Sequence, residues 1–187
     1  MLAPYFFAGG TMDIFEGIME GSEDALAYKR GESNGAVVRV RSNDTMGYRR
    51  LFIMRKDLGM SPGKLAAQVG HCAEAYWTRL LRSNALYEYG EYKVSLKIAA
   101  DIFEQYINGA FVKTICEARN KNHLLKTKTK AEELGLVENE DYGLIYDNCR
   151  TELEPEEENG TTLIGIWFRP LPDDVAHEIS KKYHLYV

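Results

Sequence analysis

The chain has 187 residues, a formal net charge of −5 and an isoelectric point near 5.5. A domain of this length buries roughly 70% of its unfolded surface, so one domain with an appendage fits and no metal or disulfide staple is needed. The acidic balance excludes sequence-independent binding of nucleic acid by bulk charge, although a local basic face remains open.

The cysteines, Cys72, Cys116 and Cys149, are far apart and lack CxxC spacing. That argues against a structural zinc site or a disulfide framework and points to the reducing cytoplasm. Neither a metal nor a cofactor is expected. No apolar run reaches membrane-spanning length, so no membrane partner is expected, and MLAPYFFAGG lacks the basic n-region of a signal peptide.

Residues 1–47 read as an N-terminal appendage of helix and linker. Ile14, Phe15, Ile18 and Met19, then Ala25, Leu26 and Tyr28, have helical spacing interrupted by Gly17 and Gly21, and a short Val-rich strand follows. The main domain, 48–187, opens on the continuous apolar strand RLFIMR (50–55). Ser61 is an N-cap residue and Pro62 a first-turn residue for a helix over 62–82. SNALYEYGEY reads as a loop, and SLKIAADIFEQYING as a short helix ended by Gly109. AFVKTIC (110–116) is a strand, and residues 121–135 a helix ended by Gly135. DYGLIYD (141–147) and TTLIGIWF (161–168) are strands, and Asp173 or Asp174 caps a helix over 174–183. Strands alternating with helices give an α/β class. ELEPEEENG (152–160) is an acidic loop whose Asn159-Gly160 suits a tight turn.

DLGMSPGKLAAQVGH (57–71), between strand and helix, invites a phosphate-binding-loop reading. From Gly59 to Gly63-Lys64 the spacing is one residue short of Walker A. Leu65 replaces the magnesium-binding hydroxyl, and Pro62 removes a backbone N–H. These departures argue the nucleotide-enzyme reading down. What remains is a lysine in a first helical turn, where the helix already carries partial positive charge, so it calls for a function or a carboxylate partner. Lys64, Gln68 and His71 fall at i, i+4 and i+7 on one face. The small residues Ala66, Ala67, Gly70 and Ala73 would let the helix approach a sheet. Singly, each polar residue suits a solvated or structural role; together after a strand they suggest a site.

RKDLGMSPGKLAAQVGHCA resembles the signature R-x-D-L-x-M-G-K-G-K-[ILV]-A-A-Q-x-x-H-A of the peptidyl-tRNA hydrolase type 2 family. LIYDNCRTELEPEEENGTTLIGIWF is similar to that family's D-A-G-R-T, loop, T-x-L-G-I-G, and KAEELGL and ISKKYHLY match its K-x-L-G-L and closing stretches. The resemblance covers about 48–187, with both signatures in order. It implies a three-layer α/β/α fold on a four-stranded mixed sheet, a homodimer, and hydrolysis of the ester joining peptide to tRNA in peptidyl-tRNA. It carries over Lys64, Gln68, Asp147, Thr151 and Thr162 as catalytic residues and gives His71 a structural role. Ser61-Pro62 replaces Gly-Lys, Asn148-Cys149 replaces Ala-Gly, and Trp167-Phe168 replaces Gly-Pro. The acidic loop is longer than the family's, and a solvated hairpin end pointing away from the cleft is the reading adopted for it. The stretch 83–110 is also longer than in compact members.

The chemistry expected is attack by water. There is no Gly-x-Ser-x-Gly elbow, and side chains of the neighbours His71 and Cys72 diverge by roughly 100° on a helix, so they form no nucleophile–base dyad. Lys64 stabilises the oxyanion or neighbouring phosphate, and Asp147 orients Lys64 or takes a proton from water. Gln68, Thr151 and Thr162 position water and substrate. For tRNA docking the candidates are Arg55, Lys56, Arg79 and Arg82, with the cluster Lys121, Lys126, Lys128 and Lys130. The alternative is a non-catalytic tRNA-binding or adaptor protein on the same fold, which gains if the acidic loop or the appendage fills the cleft.

Overall fold

The computed structural model describes residues 47–187 and, within the N-terminal segment, the backbone of one antiparallel pair, β1 (Tyr5–Phe7) with β2 (Gly10–Met12). The chain divides into two units, Met1–Thr45 and Met46–Val187. The helix and Val-rich strand expected in the appendage lie outside the described residues.

The spine of the larger unit is β3 (Tyr48–Arg55). Its partners are β6 (Val112–Ala118), which runs parallel to it, and β8 (Thr162–Phe168), which runs antiparallel. β7 (Tyr142–Asp147) pairs antiparallel with β8, giving the order β6-β3-β8-β7. Two short strands complete the mixed sheet: β9 (Leu171–Pro172) continues the line of β8 along β3, and β10 (His184–Leu185) edges β6. The four strands expected from sequence are thus the four long ones.

Leu51, Phe52, Ile53 and Met54 are all buried because both faces of the sheet are covered. Phe52 and Met54 meet α1 (Pro62–Ser83) through Cys72 and Tyr76, with Trp167 of β8 in the same cluster. Leu51 and Ile53 meet α3 (Lys121–Glu133) and α4 (Asp173–Ser180) through Leu124, Ala131, Ala176 and Ile179. The layers are α/β/α. Each fully buried Leu or Ile contributes about 1.5–3 kcal/mol relative to exposure. Gly143 makes room for the Trp167 indole, whose atoms would lie 2.7 Å from any Cβ there.

Four local expectations are corrected. Residues 83–92 begin an antiparallel hairpin, β4 (Ala85–Glu88) with β5 (Glu91–Val94), rather than a loop. Its turn, Tyr89-Gly90, has φ of 50° and 88°, the geometry of a two-residue type I′ turn usually marked by Asn-Gly. The helix expected over 95–109 is only α2 (Ala100–Ile102) followed by a π-helical turn, Phe103–Ala110. Gly109 is non-helical there, and the left-handed residue that ends the turn is Phe111. Finally, α4 has Pro172 as its N-cap with no side-chain cap; Asp173 instead pairs with Arg49 at 2.7 Å, and the Asp174 carboxylate accepts from Val175 N–H. On α1, Ala66 and Ala67 are exposed and do not meet the sheet, whereas Ala73 packs on the core with Val69, Cys72 and Tyr76.

Candidate active site

The first turn of α1 and the end of β7 bring the site together. Ser61 is the N-cap, its hydroxyl accepting from Lys64 N–H at 3.3 Å, and Pro62 follows as expected. Lys64 Nζ lies 2.8 Å from Asp147 Oδ2, with the two side chains 13% and 9% exposed. It also donates to Thr151 Oγ1 at 3.0 Å. One helical turn on, Gln68 is buried and its Nε2 donates to the same Asp147 oxygen. Its Oε1 is buried with no protein hydrogen-bond partner.

Asp147 is the last residue of β7, two positions beyond a bulge where Ile145 and Tyr146 face Gly165 and Leu163. A bulge re-aims the side chains that follow it. The other carboxylate oxygen, Oδ1, accepts from Cys149 N–H at 2.8 Å, a turn that requires Cys149 at φ 50°. That left-handed backbone suits glycine, the family residue at this position. Burial would raise the Asp147 carboxyl, but Lys64, the Cys149 N–H and Gln68 outweigh it and hold it below its ordinary value.

Thr162 does not join this group. It is fully buried beside Asp147 in the β7–β8 register, and its hydroxyl donates to Glu154 O at 2.7 Å and accepts from Glu156 N–H at 2.9 Å. It secures the acidic loop. His71 is exposed on α1 and lines a surface depression with Glu74, Arg79 and Arg82, so it has no buried structural role. No group of three His, Cys, Asp or Glu side chains among the described residues is arranged to hold a metal ion.

The acidic loop is exposed at its tip, residues 158–160, but three of its glutamates are tied to the domain. Glu152 accepts from Ser61 N–H at 2.5 Å and Ser61 Oγ–H at 2.6 Å, at the start of α1. Glu156 pairs with Arg55 at 2.5 Å, and Glu157 pairs with Lys121. Arg55 is 3% exposed and also bonds Asp57 and Leu163 O, so its guanidinium offers no face to a phosphate. The sequence could not reveal this, because its acidic partners lie 101 residues away or turn back from position 57.

The remaining docking candidates are scattered. Lys56 caps the Val187 carbonyl, sits 3.3 Å from Glu117 and lies over Tyr186. Lys128 pairs with Glu138 at 2.6 Å and Lys130 with Glu133 at 3.4 Å. Lys126 is exposed and lines a cleft between α3 and α4. All of α3 packs on the sheet face opposite α1. Arg79 and Arg82 are on α1, but roughly 22 and 27 Å along its axis from Lys64. Sequence reasoning missed a nearer cation: Arg150, exposed and adjacent to Thr151, with no ion pair among the described residues. Its position beside the carried-over Thr151 was the available signal.

A family model for peptidyl-tRNA hydrolase PTH2 matches residues 48–186. The chain belongs to the PTH2 family. It is 29% identical over 136 residues to the peptidyl-tRNA hydrolase of Thermoplasma acidophilum, covering 72% of this chain and 95% of the relative. The corresponding figures for the Sulfolobus acidocaldarius peptidyl-tRNA hydrolase are 30% over 129 residues, 68% and 91%. For the human peptidyl-tRNA hydrolase 2, mitochondrial, they are 24% over 178 residues, 95% and 84%. The match therefore includes both arms of the site, the α1 turn and the β7–β8 segment, while the appendage lies outside the PTH2 match.

Proposed function

We propose that this chain hydrolyses the ester between peptide and tRNA in peptidyl-tRNA, with Lys64 and Asp147 as its central polar pair. The observation that carries the reading is the 2.8 Å Lys64–Asp147 contact, on which Gln68 and Thr151 also converge. A water oxygen attacks the ester carbonyl carbon, the bond from that carbon to the ribose oxygen breaks, and a proton passes from water to the leaving ribose oxygen. Lys64 stabilises the oxyanion that develops between these events, aided by the positive end of α1. Asp147 orients Lys64. Its lowered pKa and its three hydrogen-bond donors make it a weak general base, which favours orientation over proton abstraction. The buried, unpartnered Oε1 of Gln68 is an acceptor for a water, and Thr151 holds Lys64 from the loop side.

For docking, Arg150 beside Thr151 is a cation with no ion pair among the described residues, and Arg79, Arg82 and Lys126 would meet phosphates further along the RNA. The acting species is a homodimer in the cytoplasm on this reading; light scattering on the purified chain tests the dimer. No helix among the described residues is long and apolar enough to cross a membrane.

The engagement of Glu152 and Glu157 with groups that would otherwise attract RNA favours the alternative of a tRNA-binding or adaptor protein. One experiment separates the two. N-blocked aminoacyl-tRNA is incubated with the full chain and ester cleavage is followed. Multiple turnovers are expected, with KM rising steeply with salt. Binding of the same tRNA without cleavage would establish the adaptor reading instead.

A further inference from the structure

We infer that Glu152 and Ser61 form a positioning clasp that holds Thr151 against Lys64. The inference rests on the proposed role of Lys64 and Thr151 in hydrolysis. The segment between Asp147 and the buried Leu153 has to place Thr151 correctly, yet Asn148, Arg150, Thr151 and Glu152 are all exposed. A single 3.0 Å bond from a long lysine to an exposed threonine is too weak to order such a segment.

Cys149, bonded to Asp147 Oδ1, anchors the start of the segment, and Glu152 anchors its far end. The two carboxylate oxygens of Glu152 accept separately from the N–H and the hydroxyl of Ser61, at 2.5 and 2.6 Å. Two parallel charge-assisted bonds fix orientation as well as distance. The same Ser61 hydroxyl accepts from the backbone N–H of Lys64, so the clasp grips the helical turn that carries the lysine. A carboxylate is also favoured there by the helix dipole. Both oxygens are taken up by Ser61, which leaves Lys64 Nζ to Asp147 and Thr151.

Where the PTH2 signature has glycine there is Ser61, and glycine has no hydroxyl to give. The neighbouring exchange, Pro62 for lysine, removes a cation from the same turn. A loop stapled to that turn by Glu152 keeps the remaining lysine in register. Proximity effects make this worthwhile, because small misplacements of a catalytic group are costly in rate.

The test uses the full chain with N-blocked aminoacyl-tRNA, comparing Glu152→Ala, Glu152→Gln, Ser61→Gly and the double variant Ser61→Gly/Glu152→Ala. For Glu152→Ala, kcat is expected to fall about tenfold with KM changed less than about threefold. Glu152→Gln, which keeps one acceptor, is expected to lie between it and wild type. The double variant is expected to be no slower than Glu152→Ala, the non-additivity of a unit. Hydrogen exchange provides a reading independent of turnover: amides of Ser61 and of residues 148–153 lose protection in Glu152→Ala, while the middle of α1 keeps its own. Wild-type kcat in Glu152→Ala overturns the clasp, including when KM falls, which would make Glu152 a competitor of substrate phosphate. Unchanged exchange at Ser61 and 148–153 overturns it as well. If the wild-type chain cleaves nothing, the hydrolase reading fails, and exchange alone decides the clasp.

Discussion

The two faces of the sheet are built differently. On the α3–α4 side, Leu51, Ile53, Leu124, Ala176 and Ile179 make an apolar core, and the buried polar group inside it is Thr127, bonded to Tyr183. Arg55 shares that face only at the strand's end, where Glu156 and Asp57 enclose it. On the α1 side, Arg50, Gln68 and Asp147 are all taken into burial. Among the described residues Arg50 meets no carboxylate; it donates to the carbonyls of Phe168, Cys72 and Ala73 and lies near the rings of Phe52 and Tyr76. Burying polar groups is costly unless they are bonded, so their concentration on one face marks where function outweighs packing. Both faces hold an apolar cluster, and on the proposed function the α1 face adds the chemistry to its own.

The largest expected effect is on the polar face. Lys64→Ala is predicted to lower kcat/KM for N-blocked aminoacyl-tRNA by about 10²–10³-fold, the loss typical of one oxyanion donor. Circular dichroism confirms that the variant assayed is folded. Turnover near wild type would remove Lys64 from the mechanism and break the division between the faces. The matching substitution on the apolar face is Leu124→Ala, which empties a fully buried position. It is predicted to cost about 2–5 kcal/mol in urea unfolding, with kcat of the folded fraction unchanged. A large loss of kcat there would show that the two faces are coupled through β3 and β8.

How much of this was legible in the sequence follows from what each feature depends on. The strands RLFIMR and TTLIGIWF, and the Ser61-Pro62 start of α1, rest on local patterns that tertiary contacts did not override. Lys64 and Gln68 could be placed on one face by spacing, and Asp147 was reached only through the resemblance, since nothing local links it to residues some eighty positions earlier. Thr162 lies apart from the Lys64 group because its hydroxyl is claimed by the acidic loop, a contact set by loop path. The β4–β5 turn was missed because Tyr89 is a rare left-handed residue. Among the docking cations, Arg55 and Lys121 are engaged by Glu156 and Glu157 of the acidic loop: formal charge is visible in a sequence, whereas a carboxylate across the fold that pairs with it is not.

A smaller effect concerns the protonation of Asp147. Its folded pKa is depressed, so it stabilises the folded state fully above its unfolded value near 3.9, and that contribution is lost as pH falls through the folded value. Urea midpoints of the wild type are therefore predicted to drop more steeply below about pH 4 than those of Asp147→Asn, which has no such proton to take up. Parallel curves would mean that the Lys64–Asp147 pair contributes nothing net to folding and serves chemistry alone.

The smallest effect concerns the backbone beneath that pair. Cys149 holds φ 50° so that its N–H can reach Asp147 Oδ1, a conformation that costs a side-chain-bearing residue about 1–2 kcal/mol. Cys149→Gly removes that strain but also the packing of the thiol against the α1-side core and its contact with Asp147 O, and it loosens the unfolded chain. The terms nearly cancel, leaving a predicted gain of about 0.5 kcal/mol in urea unfolding with kcat unchanged. A loss of more than about 1 kcal/mol would mean that packing of the thiol outweighs the strain. The cysteine would then be a structural part of the polar face, and its left-handed backbone the cost of placing it there.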